Sequence, residues 1–456
     1  MSQHNLHIPT IHHIEPSDGS GKSVIYRLKG SFFGKCYIGY FKRYRYIRMV
    51  TRWMWECGYP LINKLSYYME VVKKGWFESC SLTDYSKYIN QMLTDKHLYK
   101  KMQVVNVPLP KVFPVDAAPC FGLTNKKYDF PEIFLTVLNS AVVGGGTNFI
   151  LKENVILHHG LYDFDRDKTS EELHGRVIIK LRSKNAYWLI NDKSPIRFEK
   201  AATFLDACAG NYSHWLTEVL PRILLFCEDE RFVDVPIIIN EGLHPNILES
   251  LYIVTGEKRD IIALPEGRCL EIDHLYVVSP TGYVPFGVRS RKSLDNPHGV
   301  FSQYALTNLA MKMQDHVGRN DKLSFKKILI RRNTGVRSLT NYSDIENLLV
   351  DRGFVIIEPE KLDFREQVRV FSQADIVVGA TGAALVNLMF CKPHTRIIIL
   401  MAQHNHMPYW YWQNIACAVK CHATYVLGNI IKSKSLGIHG DFTVDPKDII
   451  AAVDAV

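Results

Sequence analysis

The stretch Asp375-Ile376-Val377-Val378-Gly379-Ala380-Thr381-Gly382-Ala383-Ala384 decides the fold class. Three β-branched residues form a short buried strand. They run into a glycine-containing turn, and Gly382–Phe390 reads as the helix that follows. Small residues in such a turn let the backbone approach a phosphate, and a helix N-terminus offers N–H groups and partial positive charge. The same rhythm extends to both sides. Strands are expected at Lys327–Ile330, Phe354–Ile357, Arg396–Leu400 and Ala423–Leu427. Helices are expected at Ser343–Asp351, Phe364–Gln373, Tyr409–Val419 and Pro446–Val453. Short apolar strands between amphipathic helices imply an α/β fold, with a parallel sheet covered on both faces.

Upstream the alternation is looser. Tyr212–Phe226 reads as a helix with Leu216, Val219, Leu220 and Ile223 on one face. Pro236–Ile239 and Leu275–Val278 read as strands, and His244–Val254 as a helix. Strand-like runs at Thr147–Leu151, Val155–His158, Arg176–Leu181 and Ala186–Ile190 precede them. Val107–Pro119 is rich in proline and reads as a linker, and Ala310–Asn320 as a crossing between halves. The expected organisation is therefore a tail and helical extension over residues 1–106, a domain over 107–320 and a second domain over 321–456. The first 25 residues read as a loose tail, and helices are expected at Lys42–Cys57, Leu61–Lys74 and Tyr85–Leu93. Two such α/β halves suggest twin Rossmann-like domains facing a cleft.

Composition narrows the class. With 47% apolar and 22% charged residues in 456, the chain is neither disordered nor coiled-coil as a whole. No run of ~18 apolar residues lacks a charge or an amide, so no membrane span is expected. Met1–Pro16 is polar and His-rich, unlike a signal peptide. The ten cysteines show no CxxC and no framework spacing, which suits reduced thiols in a cytoplasmic protein.

The formal net charge of +9 is concentrated between Arg27 and Trp76, where eleven Lys and Arg face only Glu56 and Glu70. Phe32, Phe33, Tyr37, Tyr40, Phe41, Tyr44, Tyr46, Trp53 and Trp55 interleave with them. Cations with Trp and Tyr suit an anionic membrane surface, and so a peripheral location at its inner face. They also suit single-stranded nucleic acid, or simply a solvated helical face over an aromatic core stripe. No nucleic-acid partner is expected.

Two further motifs carry chemistry. The strand Lys327–Ile330 ends in Arg331-Arg332-Asn333, with Arg337 in the loop beyond. Ligands of open α/β sheets bind at strand carboxyl ends, where arginines meet a diphosphate with forked, charge-assisted bonds. In Asn211-Tyr212-Ser213-His214-Trp215-Leu216-Thr217-Glu218, the histidine and the glutamate are i,i+4 neighbours on a helix. A carboxylate so placed orients an imidazole and raises its basicity, as a general base requires.

The segment Asn211–Arg222 resembles the N-[YF]-x-H-W-x-x-E-x-L-P-[RK] signature of glycosyltransferase family 61, a group that includes many bacterial capsular polysaccharide biosynthesis proteins. Ile330-Arg331-Arg332-Asn333, Glu358-Pro359-Glu360, Phe364-Arg365-Glu366-Gln367 and Gly379–Asn387 look like that family's later blocks in order and spacing. The resemblance covers roughly residues 115–430. It implies a GT-B architecture and an inverting transferase that moves a sugar from a nucleotide sugar, with UDP-sugars favoured, to a glycan acceptor that can be lipid-linked, in capsule or surface polysaccharide synthesis. His214 and Glu218 would be catalytic. Arg331, Arg332, Arg337, Glu358, Gly379, Thr381, Gly382, Ala383 and Asn387 would bind the donor. Asn211, Trp215, His404 and His406 would contact acceptor or sugar. No cofactor and no metal are expected.

The chain departs from the family at Thr381, where many members have His, and at Ile399, where many have Glu. These departures motivate an alternative reading, an inactive nucleotide-sugar-binding or scaffolding protein. A dinucleotide oxidoreductase is disfavoured because residues 379–384 lack the full G-x-G-x-x-G spacing. Asp163-Phe164-Asp165 imitates the carboxylate pair of metal-dependent sugar transferases, but no nucleotide-binding strand precedes it.

Overall fold

The structure is a computed structural model that describes residues 10–16, 79–92, 95–180, 184–190, 192–256, 259–288, 299–318, 326–332, 337–404, 407–431 and 440–455. The whole basic and aromatic segment between Arg27 and Trp76, with the helices expected at Lys42–Cys57 and Leu61–Lys74, lies outside the described residues, as do Asn333 and His406.

Two large sheets organise the described chain. The first has twelve strands. Its spine is parallel: Ile11–His13, Ile261–Leu264, Ile237–Asn240, Ile196–Thr203 and Cys269–Val278 lie side by side in that order. Ile133–Gly144 pairs antiparallel along the whole of Cys269–Val278. Beyond it follow Ile150–Lys152, Val155–His158, Cys80–Asp84, Asn185–Trp188 and Val177–Lys180. The strand-like runs before residue 200 thus extend the sheet that the later βα units begin.

Three expectations change here. The tail expected over residues 1–25 contributes the edge strand Ile11–His13, which has Ile261–Leu264 to pair with, and it buries Ile14. The helical character expected through residue 100 gives way to strands at Cys80–Asp84 and Lys96–Lys100 around the helix Tyr85–Gln91. That helix starts where Asp84 Oδ1 accepts from Ser86 N at 2.6 Å, satisfying an orphan donor of the first turn. Finally, the linker expected at Val107–Pro119 holds the strand Lys111–Phe113, which pairs parallel with His422–Ile430 of the second sheet. The chain therefore enters the second sheet before it builds the first half's βα units.

The second sheet runs Val355–Ile357, Lys327–Ile330, Ile376–Ala380, Arg396–Ala402 and His422–Ile430, all parallel. Counted in chain order these five strands lie as 2-1-3-4-5, the order of a doubly wound sheet. The winding reverses between Lys327–Ile330 and Ile376–Ala380. Ligands bind at such a switch point, outside the strand carboxyl ends.

The expected helix at Gly382–Phe390 is wound as a 3-10 helix, Ala383–Phe390. Runs of that length are uncommon because the hydrogen-bond geometry is poorer. Packing decides it here: Leu385, Val386, Leu388, Met389 and Phe390 are all fully buried. The crossing expected at Ala310–Asn320 is a fifteen-residue helix, Gln303–Val317, that buries Ala305, Leu306, Leu309, Ala310 and Met313. One apolar core runs from Ile237 and Ile239 of the first sheet, through Leu309 and Met313, to Ile397 and Ile399 of the second. Each such side chain taken from water contributes about 1.5–3 kcal/mol, so the halves are joined by a packed seam.

Candidate functional site

His214 stands in the first turn of the helix after strand Ile196–Thr203. Asn211 caps this turn, its Oδ1 accepting from Ser213 N at 3.0 Å. The next turn, Trp215–Val219, is a π-helix, and regular α-helix resumes at Leu220–Cys227. Pro221 accounts for the irregularity, because it has no N–H for the carbonyl four residues back and its ring crowds that carbonyl. The Thr217 carbonyl lies against Gly282, where a Cβ would stand only 2.6 Å from the oxygen. The Glu218 carbonyl accepts from Arg222 Nε at 2.8 Å.

Within this turn His214 Nδ1 and Glu218 Oε1 are 2.6 Å apart. Glu218 Oε2 accepts from Val284 N at 3.2 Å, so the carboxylate is held at both oxygens. Burial works to lower the His214 value, but the Glu218 charge, its hydrogen bond and Asp206 together raise it above the usual imidazole range. Nδ1 being engaged, Nε2 is the ring nitrogen left to take a proton.

His214 and Glu218 line a small recess, walled also by Asn148, His159, Tyr162, Asp206, Tyr283 and Phe286. Asp206, just beyond one strand, and Asn240, the last residue of its parallel neighbour, are locked together, Asp206 N donating to Asn240 Oδ1 at 3.0 Å. Behind the wall, Glu171 is fully buried and accepts from Tyr162 Oη at 3.0 Å. Burial, then the charge of Asp206, pushes Glu171 up to about 7. No motif in the sequence marks these wall residues. The available signal was their place: His159 and Asp206 each lie just beyond the carboxyl end of a strand.

At the switch point of the second sheet the arginines divide. Arg331 turns toward Glu346 and Glu358, forking onto the first and donating Nη1 to Glu358 Oε1 at 3.3 Å. Glu358 also receives Lys361 at 2.8 Å. Arg331 and Glu358, both expected to bind the donor, are thus engaged with each other. Arg332 points the other way, donates to the Thr381 carbonyl and lies on Gly382, where a Cβ would stand 3.0 Å from its guanidinium carbon. Burial and the neighbouring Arg337 push Arg332 down to about 10, only partly offset by Asp441 and Glu360. Arg337 has φ +57°, a strained backbone for a non-glycine residue. Its Nε is buried with no hydrogen-bond partner among the described residues. Arg332 and Arg337 are thus neighbouring cations, each largely withdrawn from solvent, at a strand-end switch point.

The remaining candidates separate into packing and rim. Trp215, expected to contact acceptor or sugar, is fully buried and donates Nε1 to Ser250 Oγ at 2.9 Å, so it packs in the core. Asn387, also fully buried, donates to Gln367 Oε1 at 2.6 Å and accepts from Tyr212 Oη at 2.9 Å, which ties the two halves together. Gly379 is a strand residue whose missing side chain makes room for Ile330. The Thr381 N–H, expected to face a phosphate, donates instead to the Leu400 carbonyl at 3.0 Å, because the strand ladder reaches that far. Gly382 is buried and Ala383 exposed at the start of the 3-10 turn, while Asn211 is exposed at its cap. His404 lies half-buried beyond strand Arg396–Ala402. Asp163 Oδ1 accepts from Arg166 N at 3.1 Å, closing its own turn.

Side chains connect the two regions. Ser213, next to His214, shares a hydrogen bond with the Tyr411 hydroxyl. The adjacent Trp412 donates Nε1 to Thr381 Oγ1 at 2.9 Å, and the Thr381 carbonyl accepts from Arg332. His214 and the arginine pair thus stand at the two ends of one short chain of contacts.

The family model described as Glycosyltransferase 61 matches residues 212–398, from the His214 helix to strand Arg396–Ala402. The match supports that family and a transferase. No relative among the curated proteins matches the chain. Among the described residues, no helix is long and apolar enough to cross a membrane.

Proposed function

We propose that this glycosyltransferase 61 domain is catalytically competent and transfers a sugar, with inversion, from a nucleotide sugar to a hydroxyl of a glycan acceptor. The observation that carries the reading is the contact chain from His214 through Ser213, Tyr411, Trp412 and Thr381 to Arg332. It links a carboxylate-backed base to two neighbouring arginines at the strand-end switch point. His214 Nε2 takes the proton of the acceptor hydroxyl, and the oxygen forms a bond to the anomeric carbon. The bond from that carbon to the diphosphate breaks, and the leaving group departs with the electron pair. Arg332 and Arg337 stabilise the charge that grows there, and preorganised stabilisation of this kind is usually the largest catalytic term. A single displacement inverts the anomeric centre. Because two arginines supply the countercharge, turnover is expected to survive a chelator.

The test is a thermal-shift and hydrolysis screen of UDP-, GDP-, CMP- and dTDP-sugars in EDTA. A UDP-sugar is expected to raise the melting temperature and to be slowly consumed. Binding without any turnover, with or without acceptor, would favour the inactive sugar-nucleotide-binding reading. Turnover abolished by EDTA and restored by Mn²⁺ would return Asp163 and Asp165 to consideration.

A further inference from the structure

Cys391 and Cys421 are far apart in sequence but meet at the amino ends of two adjacent parallel strands. Cys391 closes the 3-10 helix Ala383–Phe390, its N–H donating to the Leu388 carbonyl at 3.0 Å, and leads toward strand Arg396–Ala402. Cys421 stands immediately before strand His422–Ile430. The register sets Arg396 opposite His422, so the turns that enter the two strands are neighbours. Hydrogen bonds pin these turns together. His394 N donates to the Lys420 carbonyl at 2.7 Å, and His422 N to the Thr395 carbonyl at 3.0 Å. The exposed rings of His394 and His422 share a third hydrogen bond, Nδ1 to Nε2, at 3.1 Å. Beneath them the Cys421 thiol donates to the carbonyl of Lys392, the residue after Cys391, at 3.4 Å. The Cys391 thiol in turn hydrogen-bonds to the Cys421 sulfur. Both side chains are buried, Cys421 slightly less than Cys391, while Lys392, Lys420 and His422 beside them are exposed.

Two thiols in contact, on backbone segments already tied to each other, need little rearrangement to be bridged. Cys120 and Cys417 show the contrast, their sulfurs facing the side-chain amides of Gln403 and Gln303. We propose that Cys391 and Cys421 form a reversible disulfide that staples the turn before Arg396–Ala402 to the turn before His422–Ile430. The oxidant is a small-molecule disulfide. The Cys421 thiolate, nearer to solvent, attacks one sulfur of it, and one small thiol leaves with the electron pair. The Cys391 sulfur then attacks the Cys421 sulfur, the protein S–S bond forms, and the second small thiol leaves. The cysteine pair gives up two electrons, and the two small thiols take up the two protons the cysteines lose. Burial holds the Cys391 thiol well above the usual range, which suits it to the second, intramolecular step rather than the first. The bridge closes residues 391–421 into a loop and removes freedom from the unfolded chain, so it stabilises the second half. It sits at strand amino ends, whereas Arg332 lies beyond the carboxyl end of Lys327–Ile330, so the staple leaves the arginine side untouched. The inference does not depend on the transferase reading.

The test incubates the full chain with oxidised glutathione, unfolds it, blocks the remaining thiols with iodoacetamide and maps the peptides by mass spectrometry. A linked pair of peptides that holds Cys391 and Cys421 is expected, and dithiothreitol should separate it. The melting temperature of the oxidised chain should stand about 2–5 °C above that of the reduced chain. Cys391→Ala and Cys421→Ala should each abolish the linked peptides and the dithiothreitol-reversible rise, and both should keep the wild-type affinity for UDP. The peptide map of the wild type decides the matter even if a variant fails to fold. Cys391 and Cys421 recovered as alkylated thiols or as separate glutathione adducts would overturn the assignment, as would either of them bridged to a different cysteine. A bridge that forms without raising the melting temperature would contradict its role as a staple. UDP affinity lost in a folded variant would contradict its separation from the arginine side. Failure of UDP to bind the wild type would instead strike the donor-side reading and leave the disulfide to the peptide map.

Discussion

Replacing His214 by alanine is expected to cut turnover by ~10²–10⁴-fold while nucleotide affinity stays where it was. Among the described residues, nothing else beside the recess has the same combination: a ring nitrogen held by a two-point carboxylate, and a second nitrogen left for the proton. The pH profile separates a base from a merely structural histidine. A base works deprotonated, so activity should fall as pH drops through the raised value of His214. In Glu218→Gln the negative charge is gone and His214 titrates lower. The acid limb of kcat/KM should therefore move to lower pH, and the plateau should fall because the base is weaker. An acid limb that stays in place in Glu218→Gln would disconnect the pair from catalysis. Near-normal turnover in His214→Ala would pass the role to Asp206.

Arg332→Ala should weaken UDP binding by ~30–150-fold, the loss of one charge-assisted contact of ~2–3 kcal/mol. Arg337→Ala should act in the same direction. Arg331→Ala is the internal control: its guanidinium already lies between Glu346 and Glu358, so UDP affinity should barely change. Calorimetry on the three variants is sufficient. Equal UDP affinity in wild type and folded Arg332→Ala would take the diphosphate away from this switch point.

The second half was legible because its strands are short, apolar and separated by amphipathic helices; Lys327–Ile330 and Phe364–Gln373 fall where periodicity places them. The helix Tyr212–Phe226 was legible for the same reason, though the π turn within it was not. The presence of Pro221 marked a departure from regular winding without saying how the backbone would absorb it. What the sequence left open was direction. Arg331 and Arg332 are adjacent at a strand end, and successive side chains of extended backbone point to opposite sides. Only one of them can face the switch point, and the partners that decide which, Glu346 and Thr381, come from other elements. Asn387 and Trp215, expected at the donor and the acceptor, are buried against partners from other elements. A polar or amphipathic side chain inside a motif looks like a ligand contact until its buried partners, Gln367, Tyr212 and Ser250, are seen. The recess was missed because Asn148, His159, Asp206 and Phe286 come from four separate segments that meet only in three dimensions.

The stereochemistry of the first-formed product tests the central claim most directly. With a UDP-α-linked sugar as donor, the anomeric proton of the new linkage can be followed by NMR as it appears. Attack by a hydroxyl deprotonated at His214, with the diphosphate leaving toward Arg332 and Arg337, predicts a β-linked product. An α-linked first product would contradict the account, because retention requires a second displacement or a front-face path that this arrangement does not provide.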